Sequence, residues 1–308
     1  KLELRVATVP TVNGESAVLR LLAAGSAMPL AKLNLSKPNY DKIVELSAHP
    51  HGLLLVVGPT GSGKTTTLHG VLGYINTPDR KIWTAEDPVE ITQPGLQQVQ
   101  VLPKINFTFA TAMRAFLRAD PDVILIGEMR DHETASIGIE ASLTGHLVLS
   151  TLHTNSAPET ITRLLDLGLD PVNFSDALLG VLAQRLMRTL CGACKEEYTP
   201  EKHDLDHLIN TYGREQFPEL GVDLDNVRLF RAVGCDDCGG TGYKGRTGIH
   251  ELLTGTHELR SMIYNKADLD DLRKQALRDG MRTLKQDGIN KIFMGLSDYK
   301  QLLRVVAE

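Results

Sequence analysis

Apolar and polar residues alternate along the chain with two different periods, which divide it into regions. Near the start, apolar and charged residues alternate from Leu2 onward, and Asn13-Gly14 offers turn chemistry before a second run that ends at Leu22. A period of two is typical of strands, so this pattern predicts a β-hairpin over 1–22. The connecting loop is expected to be longer than a two-residue turn, which leaves the register open.

From residue 53 to about residue 190, short apolar runs alternate with segments of helical period. The apolar runs predict strands over 53–57, 81–84, 123–126 and 147–150. The segments between them predict helices over 65–74, 109–119, 132–143 and 157–167. This alternation predicts an α/β fold with a mostly parallel sheet covered by helices on both faces. Ligands of such sheets bind at the carboxyl ends of the strands, so the residues after each strand are the candidates for chemistry.

The flanking regions show weaker patterns. A mixed segment over 25–39 contains two prolines and is expected to be a linker, followed by a helix over 40–48. One further strand is possible over 246–253. Residues that commonly cap helices precede three predicted C-terminal helices, over 257–264, 269–278 and 298–306.

The first strand of the alternating region leads into a glycine-rich loop. Residues 58–65 read GPTGSGKT, the phosphate-binding pattern of a glycine, four residues and then Gly-Lys-Ser/Thr. Its glycines let backbone N–H groups turn inward, and the following helix adds positive potential at its N-terminus. We expect Lys64 to reach the outer phosphates of a nucleotide and the Thr65 hydroxyl to hold Mg²⁺. The predicted nucleotide-binding residues are Gly58, Pro59, Thr60, Gly61, Ser62, Gly63, Lys64, Thr65 and Thr66.

An acidic cluster follows the predicted strand over 81–84. Glu86, Asp87 and Glu90 surround Pro88 just past the strand end. They could position Mg²⁺ or a water molecule, or they could form only a charged turn. The sequence pattern leaves both interpretations open.

The strand over 123–126 resembles the second motif of nucleotide-binding proteins, with one difference. An Asp normally ends that strand and assists Mg²⁺, whereas this chain has Gly127 followed by Glu128. A glutamate at this place can polarise an attacking water. The missing Asp leaves Mg²⁺ ligation open, and Glu86 or Asp87 could share it directly or through water.

A histidine follows the strand over 147–150. His153 lies in a polar segment at the same predicted edge of the sheet. It could take part in the chemistry of the site, or it could be structural.

The chain has four cysteines, arranged as two Cys-x-x-Cys pairs with 40 residues between them. Two such pairs can close a tetrahedral thiolate site, which is the geometry of structural zinc, and redox thiols are the alternative. The predicted zinc ligands are Cys191, Cys194, Cys235 and Cys238.

Composition narrows the class of protein. The 308 residues are 42% hydrophobic and 23% charged, as in ordinary soluble globular proteins. No apolar run approaches the roughly 20 residues of a membrane span. The net charge of −5 and the pI near 6.1 argue against a general nucleic-acid binder. The chain opens at Lys1 within a predicted strand, so we expect it to be part of a longer protein.

The ordered set of motifs resembles the hexameric ATPases of bacterial type II secretion and type IV pilus assembly. The resemblance runs nearly end to end. It rests on the paired cysteines and on the segments 58–65, 86–90, 124–128 and 150–155. The family shares the Gly in place of the second motif's Asp. Its secretion and pilus-extension members carry paired cysteines, while the 40-residue spacer leaves the subtype open.

The resemblance implies a RecA-like P-loop core with three flanking parts. The implied divisions are the end of a PAS-like N-terminal domain plus a linker (1–38), the ATPase core (39–190), a tetracysteine zinc module (191–240), and a last core strand with C-terminal helices (241–308). The domain that docks on the membrane platform is expected to lie outside this sequence.

The resemblance also changes the interpretation of two arginines. From the residues alone, Arg5 and Arg20 are expected to be solvated surface residues. In the family, two arginines of the N-terminal domain reach the nucleotide, and Arg5 and Arg20 match them. Further arginines near the family's active site match Arg114, Arg118 and Arg130.

The function implied by the resemblance is ATP hydrolysis coupled to pilin or pseudopilin assembly. Glu128 is expected to activate water, and Glu86 and His153 to support the metal and the γ-phosphate. The implied cofactors are ATP, Mg²⁺ and Zn²⁺. The implied partners are other copies of the chain in a homo-hexamer and platform proteins of the inner membrane, with a cytoplasmic location at that membrane and no nucleic acid.

Two other functions remain as alternatives. One is a nucleic-acid translocase on the same core, which the acidic pI and the lack of basic stretches interleaved with aromatic residues argue against. The other is a nucleotide-sensing scaffold without turnover, which Glu128 argues against.

Overall fold

The computed structural model describes residues 3–22 and 27–306. Within these residues the strands are β1 (Glu3–Thr11), β2 (Gly14–Leu22), β3 (Gly52–Val57), β4 (Ile82–Glu86), β5 (Leu96–Gln100), β6 (Val123–Ile126), β7 (Leu147–Leu152), β8 (Leu178–Leu190), β9 (Glu196–Tyr198), β10 (Leu229–Arg231) and β11 (Tyr243–Thr254). The α-helices are α1 (Lys37–Ser47), α2 (Lys64–Ile75), α3 (Phe109–Phe116), α4 (His132–Leu143), α5 (Ala157–Asp166), α6 (Pro171–Ala177), α7 (Lys202–Tyr212), α8 (His257–Tyr264), α9 (Leu269–Arg278), α10 (Leu284–Phe293) and α11 (Tyr299–Val305). No helix in these ranges is both long and apolar enough to cross a bilayer.

The N-terminal hairpin forms as the alternating pattern predicts. Strands β1 and β2 are antiparallel, and Thr11 pairs with Gly14. The loop therefore consists of Val12 and Asn13 alone, and the expectation of a longer turn is wrong. Gly14 has a φ of 119°, a conformation that glycine adopts without the steric cost of a side chain.

The main sheet has seven strands in the order β11-β8-β3-β7-β6-β4-β5. All neighbouring pairs are parallel except β11 and β8, which are antiparallel. The predicted α/β class with a mostly parallel sheet is thus confirmed. Strand β3 lies inside the sheet between β7 and β8.

Both faces of the sheet are covered by apolar cores. Leu53, Leu55 and Val57 of β3 belong to one buried cluster, while Leu54 and Val56 belong to a second cluster. Since successive strand residues point to opposite faces, this division places helices against both sides of β3. A strand buried on both faces reads as a continuous apolar run, which explains why β3 was easy to identify.

The elements that the sequence pattern missed are the less apolar or the less periodic ones. Strand β5 reads LQQVQ and lies at the edge of the sheet, so it lacks the apolar run of a central strand. Strand β8 is 13 residues long and follows the seven-residue helix α6 without a turn signal. Helix α10 begins with a capping box formed by Thr283 and Gln286, which the sequence analysis did not use.

The two paired cysteine segments lie where the chain leaves and re-enters the sheet. Strand β8 ends at Leu190, directly before Cys191, and β11 begins at Tyr243, shortly after Cys238. Tyr243 of β11 pairs with Leu190 of β8 in the antiparallel strand pair. The segment between the two strands carries α7 and the small antiparallel pair of β9 and β10, and it packs with α10 on a third apolar cluster.

Candidate nucleotide site and cysteine cluster

The glycine-rich loop connects the buried strand β3 to helix α2. Gly58, Gly61 and Gly63 have φ angles of 148°, 79° and 89°, a region that only glycine enters readily. A Cβ on Gly58 would lie 2.4 Å from the carbonyl oxygen of Gln184, so a side chain has no room there. Helix α2 begins at Lys64, and no described side chain caps its N-terminus. Its first N–H groups are therefore free to bind an anion at the loop.

Gln184 on β8 holds this loop in place. Its Nε2 donates to the carbonyl oxygen of Ser62 at 2.6 Å, and its Oε1 accepts from the Thr67 hydroxyl at 2.7 Å. All three residues are buried. The sequence analysis missed Gln184, although a polar residue directly after the apolar run 178–183 was a usable signal.

The remaining predicted residues of the loop differ in exposure. Pro59, Thr60 and Gly61 are exposed, whereas Thr66 is half-buried at the start of α2. The Ser62 hydroxyl is buried and has no hydrogen-bond partner within 3–22 and 27–306. This loop of inward backbone N–H groups with one spare hydroxyl fits a phosphate group.

Lys64 lies folded over the loop. Its Nζ donates to the carbonyl oxygens of Gly58 at 2.7 Å and Pro59 at 3.1 Å, and it lies 3.4 Å from Nδ1 of His153. Burial lowers the pKa of Lys64 below its ordinary value, Glu128 opposes this shift, and Arg185 adds to it. The ammonium group is thus partly desolvated, which strengthens its attraction to a phosphate.

Glu128 lies two residues beyond the end of β6. Two hydroxyls of β7 fix the end of that strand, since Ser150 donates to the Ile126 carbonyl at 2.8 Å and Thr151 donates to the Gly127 carbonyl at 2.7 Å. The Glu128 side chain is 14% exposed and faces His153, with 3.2 Å between Oε1 and Nε2. Lys64, His153 and Glu128 therefore form a connected row at the edge of the sheet where the strands end.

The surroundings of Gly127 leave little space for a side chain at that position. A Cβ on Gly127 would lie 3.0 Å from the Ala85 carbonyl oxygen and 3.2 Å from the Phe109 ring. Such contacts are tighter than a well-packed core normally allows. A side chain at position 127 would require these neighbours to shift by a few tenths of an ångström, and the acid at this strand end is instead on Glu128, one residue later.

Glu86 and its acidic neighbours adjoin the same site. A cavity of about 90 Å³ is lined by Thr65, Glu86, Asp87, Glu90 and Glu128, among others. Asp87 and Glu90 are exposed, whereas Glu86 is buried. The acidic cluster therefore places three carboxyl-bearing residues around the hydroxyl-bearing Thr65.

The Glu86 carboxylate is held by protein groups on both oxygens. Oε1 accepts from the Thr84 hydroxyl at 2.6 Å and from Gln98 Nε2 at 3.0 Å. Oε2 lies 3.0 Å from His69 Nε2. Burial acts to raise the pKa of Glu86, but the hydrogen bonds from His69, Thr84 and Gln98 outweigh it and bring the pKa below its ordinary value. Glu86 is thus a fixed negative charge next to the cavity.

The arginines named in the sequence analysis fall into three groups. Arg130 is 66% exposed along its side chain, and its Nη2 lies 2.7 Å from Glu128 Oε2. Arg114 pairs with Glu133, and Arg118 is exposed. Arg5 and Arg20 face each other in the register of β1 and β2, and their side chains lie outside the described part of the structure.

The four cysteines come together as predicted. All four Sγ atoms lie within 4.8 Å of one another, with separations of 4.0 Å for Cys191–Cys235, 3.9 Å for Cys194–Cys238 and 3.8 Å for Cys235–Cys238. Sulfurs bound tetrahedrally to one Zn²⁺ at about 2.3 Å would lie about 3.8 Å apart. The observed separations fit that geometry and are far too long for disulfide bonds.

Backbone N–H groups surround the cluster. The N–H of Cys235 donates to the sulfur of Cys238 at 3.2 Å, and that of Gly242 donates to the same sulfur at 3.1 Å. These bonds, led by that from Cys235, lower the pKa of the Cys238 thiol to about 6 against the effect of burial. Burial raises the pKa of the Cys194 thiol to about 12. The backbone N–H groups thus favour the thiolate form at Cys238, the form in which cysteine binds a metal.

Comparison with known proteins gives consistent matches. The family model described as "Type II/IV secretion system protein" matches residues 1–304. The chain is 45% identical to "Type IV pilus assembly ATPase PilB" of Thermus thermophilus, over 98% of this chain and 33% of that protein. It is 44% identical to "Type II secretion system ATPase E" of Vibrio cholerae, over 99% of this chain and 59% of that protein. The chain therefore spans between about one third and three fifths of the length of these relatives.

Solved structures agree on the fold. The pilus retraction motor PilT with bound ADP superposes with a TM-score of 0.70 and 28% identity, over 99% of this chain and 74% of that chain. The Legionella pneumophila ATPase DotB superposes with a TM-score of 0.68 and 23% identity, over 98% of this chain and 71% of that chain. Both likenesses support the overall fold described above.

Proposed function

Because the chain belongs to the Type II/IV secretion system protein family, we propose that it is the Mg²⁺-dependent ATPase part of a motor that drives pilin or pseudopilin assembly. One observation carries the proposal. Lys64, His153 and Glu128 form a connected row beside a loop whose glycines adopt phosphate-binding geometry. Family membership favours this function over a nucleic-acid translocase on the same core.

Each residue of the row has a role that follows from its position. The N–H groups of α2 and the Lys64 ammonium bind the phosphates of ATP. Mg²⁺ at the Thr65 hydroxyl would neutralise phosphate charge, and Glu86 adds negative charge next to that position without giving up its own hydrogen bonds. Glu128 accepts the proton of the attacking water. His153 orients Glu128 through the contact between its Nε2 and the Glu128 carboxylate. Because His153 also lies next to Lys64, it is close to the position proposed for the γ-phosphate.

The cysteine cluster is proposed to hold one Zn²⁺. Cys191, Cys194, Cys235 and Cys238 supply four sulfurs at tetrahedral spacing. A zinc ion held by four thiolates would cross-link the segment between β8 and β11 and take no part in catalysis.

Arg5 and Arg20 are proposed to be brought to the nucleotide by movement of the N-terminal domain, within one chain or between copies of a homo-hexamer. An arginine brought to the γ-phosphate in this way is worth roughly 10³–10⁵ in rate in the best-studied cases. Such an arginine couples ATP hydrolysis to movement of the N-terminal domain on which the arginine lies. Turnover by the assembled full-length protein should fall in Arg20→Ala while ATP affinity stays nearly unchanged, and equal turnover would remove Arg20 from the mechanism.

The proposed setting is the cytoplasmic face of the inner membrane. The relatives named for type IV pilus assembly and type II secretion support a motor that contacts platform proteins there. Both names have similar identities to this chain, 45% and 44%, so either cargo class fits.

ATP hydrolysis by the full-length protein, measured with and without DNA, tests the proposed function. We expect Mg²⁺-dependent release of phosphate that DNA leaves unchanged. Stimulation by DNA would favour the translocase, and nucleotide binding without any hydrolysis would favour a sensing scaffold.

A further inference from the structure

His69 lies one helical turn beyond the phosphate loop and joins it to the acidic cluster. It is on α2, five residues after Lys64, and its side chain is fully buried. Its Nε2 is 3.0 Å from Oε2 of Glu86, which lines the cavity next to Thr65. The helix that carries the phosphate-binding lysine therefore also contacts the acid of the neighbouring strand.

Gln93 determines which nitrogen of His69 carries the proton. The amide nitrogen of Gln93 lies 2.9 Å from the carbonyl oxygen of His69 and 2.8 Å from its Nδ1. A carbonyl oxygen can only accept a hydrogen bond, and the opposite orientation of the amide would set two oxygens against each other. The nitrogen of Gln93 therefore donates one hydrogen to each atom. Nδ1 of His69 is thus an acceptor, and the ring proton is on Nε2.

The orientation of Gln93 is itself fixed. Its backbone N–H donates to Gln98 Oε1 at 2.8 Å, and Nε2 of Gln98 donates to the Ile91 carbonyl at 2.8 Å. The same Gln98 nitrogen donates to Glu86 Oε1 at 3.0 Å. A closed set of hydrogen bonds thus runs from His69 through Gln93 and Gln98 to the two oxygens of Glu86.

We propose that His69 is a positioning residue for ATP turnover. As the neutral tautomer protonated on Nε2, selected by Gln93, it donates to Glu86 and keeps that carboxylate charged and oriented beside Thr65. This inference rests on the proposed ATPase function. A neutral donor is suited to the task because it fixes the carboxylate without cancelling its charge, which a cationic partner would do.

Two substitutions at His69 separate this role from a merely structural one. In His69→Gln, the side-chain amide places a donor near the former Nε2 and can still bond Glu86. In His69→Asn, the amide places its polar atoms near the former Nδ1, so Gln93 keeps a partner and Glu86 loses its donor. Both replace a buried ring by a smaller amide, so a packing role predicts similar losses in both.

Turnover and ATP affinity of the full-length protein are the first measurement. We expect kcat to fall about 10- to 100-fold in His69→Asn, the usual cost of removing a group that orients a ligand-bearing residue, with ATP affinity retained. His69→Gln should stay close to the unsubstituted protein. Equal losses in both variants, or no loss in His69→Asn, would overturn the inference.

A spectroscopic measurement keeps the inference testable if a variant fails to fold. The chain has 10 histidines, and ¹⁵N labelling of histidine reports which ring nitrogen is protonated, with the His69 signals assigned by their loss in His69→Gln or His69→Asn. We expect a protonated Nε2 and a bare Nδ1 in the unsubstituted chain, and loss of this preference in Gln93→Met. A protonated Nδ1 in the unsubstituted chain overturns the inference. If the protein hydrolyses no ATP at all, the proposed function fails, whereas the tautomer is still decided by these signals.

Discussion

Gln184 Nε2 lies 2.6 Å from the carbonyl oxygen of Ser62, so the phosphate loop is tied to β8 through a side chain. The same strand continues for six residues and ends directly before Cys191. The loop that we propose to bind ATP and the cysteine cluster are therefore attached to one rigid strand. A displacement of either one is resisted by the hydrogen bonds of β8 to β3 and β11.

Replacement of Gln184 by leucine should loosen the phosphate loop. The Ser62 carbonyl and the Thr67 hydroxyl would lose their buried partners, at a cost of about 1–3 kcal/mol for each group left unsatisfied. We expect ATP affinity to fall about 10-fold, equivalent to about 1.4 kcal/mol. Calorimetric titration measures the affinity. The exposed Gln97 on β5 provides the control, and an unchanged affinity in Gln184→Leu would contradict the supporting role.

Glu128→Gln should separate ATP binding from hydrolysis. The amide keeps the shape of the side chain and cannot take the proton of the attacking water, so turnover should fall about 10²-fold or more. Lys64→Ala should instead weaken both binding and turnover, since Lys64 contacts the phosphates. Steady-state hydrolysis together with nucleotide titration distinguishes the two patterns. The exposed Glu140 on α4 supplies the matched Glu→Gln control, and normal hydrolysis by Glu128→Gln would rule out the general-base role.

The sequence predicted those parts of the site that lie at the ends of apolar strands. Lys64, Glu128 and His153 each follow such a strand, and a parallel sheet brings strand ends to one edge. Gln184 and His69 were missed for the opposite reason. Each lies inside an element, and its importance depends on which side chain of another element it meets. The local sequence pattern does not predict contacts between side chains of different elements.

The fold shows the same division between local and tertiary information. Helix α4 and strand β6 have the predicted bounds, because each combines a clear apolar pattern with a strong end signal such as the Asp131 cap. The pairing of β8 could not be predicted from the local sequence. This strand pairs with β3 on one side and, on the other side, with β11, which begins more than 50 residues later in the chain. Ser297 directly precedes the predicted helix 298–306 and was therefore its expected cap, but the helix is capped by Asp298, and Ser297 is buried and donates to the Arg188 carbonyl instead. Tertiary hydrogen bonding decided that choice of cap.

The cysteine cluster should bind one Zn²⁺ per chain. Protein purified without chelators should contain zinc in a 1:1 ratio by elemental analysis, and Cys194→Ser should lower both the zinc content and the melting temperature, because structural zinc contributes folding energy directly. Zinc added to metal-stripped protein should restore the melting temperature, and Mg²⁺ should not. Absence of zinc together with four freely titrating thiols would exclude the metal site.

Glu251 should make the protein less stable as pH rises above about 4.5, the ordinary pKa of its carboxyl. Glu251 is buried, and burial raises its pKa although the N–H groups of Ala157 and Leu284 oppose the shift. The folded chain then binds more protons than the unfolded chain over the interval between the two pKa values. The free energy of unfolding therefore contains a favourable part below about 4.5 that is lost as pH rises through the raised pKa.

Urea unfolding as a function of pH checks this effect in Glu251→Gln. The variant cannot ionise, so its stability should decline less than that of the unsubstituted chain over the same interval. Glu258 is exposed at the start of α8, and Glu258→Gln is the matched control. Parallel pH curves for the unsubstituted chain and Glu251→Gln would contradict the prediction.

Lys291 should be essential for attaching the segment before α1 to α10. Its side chain is 1% exposed, its Nζ donates to the Asn34 carbonyl oxygen at 2.6 Å, and Asp287 Oδ1 lies 3.5 Å away. Lys291→Met would leave Asp287 buried without its cation, a change that costs about 3–5 kcal/mol in comparable buried pairs. We expect a loss of that size in the free energy of unfolding, measured in urea, whereas Lys300→Met at an exposed position should change little.

A double variant identifies the source of that loss. Adding Asp287→Asn to Lys291→Met removes the uncompensated charge and keeps an oxygen that can accept the backbone N–H of His250, now bonded to Asp287 at 2.8 Å. The double variant should therefore be more stable than Lys291→Met alone, because the two residues interact and their effects do not add. If the two losses simply add, the buried charge is not the cause, and the hydrogen bond to Asn34 is the main contribution of Lys291. In either case, Asn34 belongs to the segment that joins the hairpin to the core. The hydrogen bond from Lys291 of α10 to Asn34 would therefore limit how far the hairpin can move.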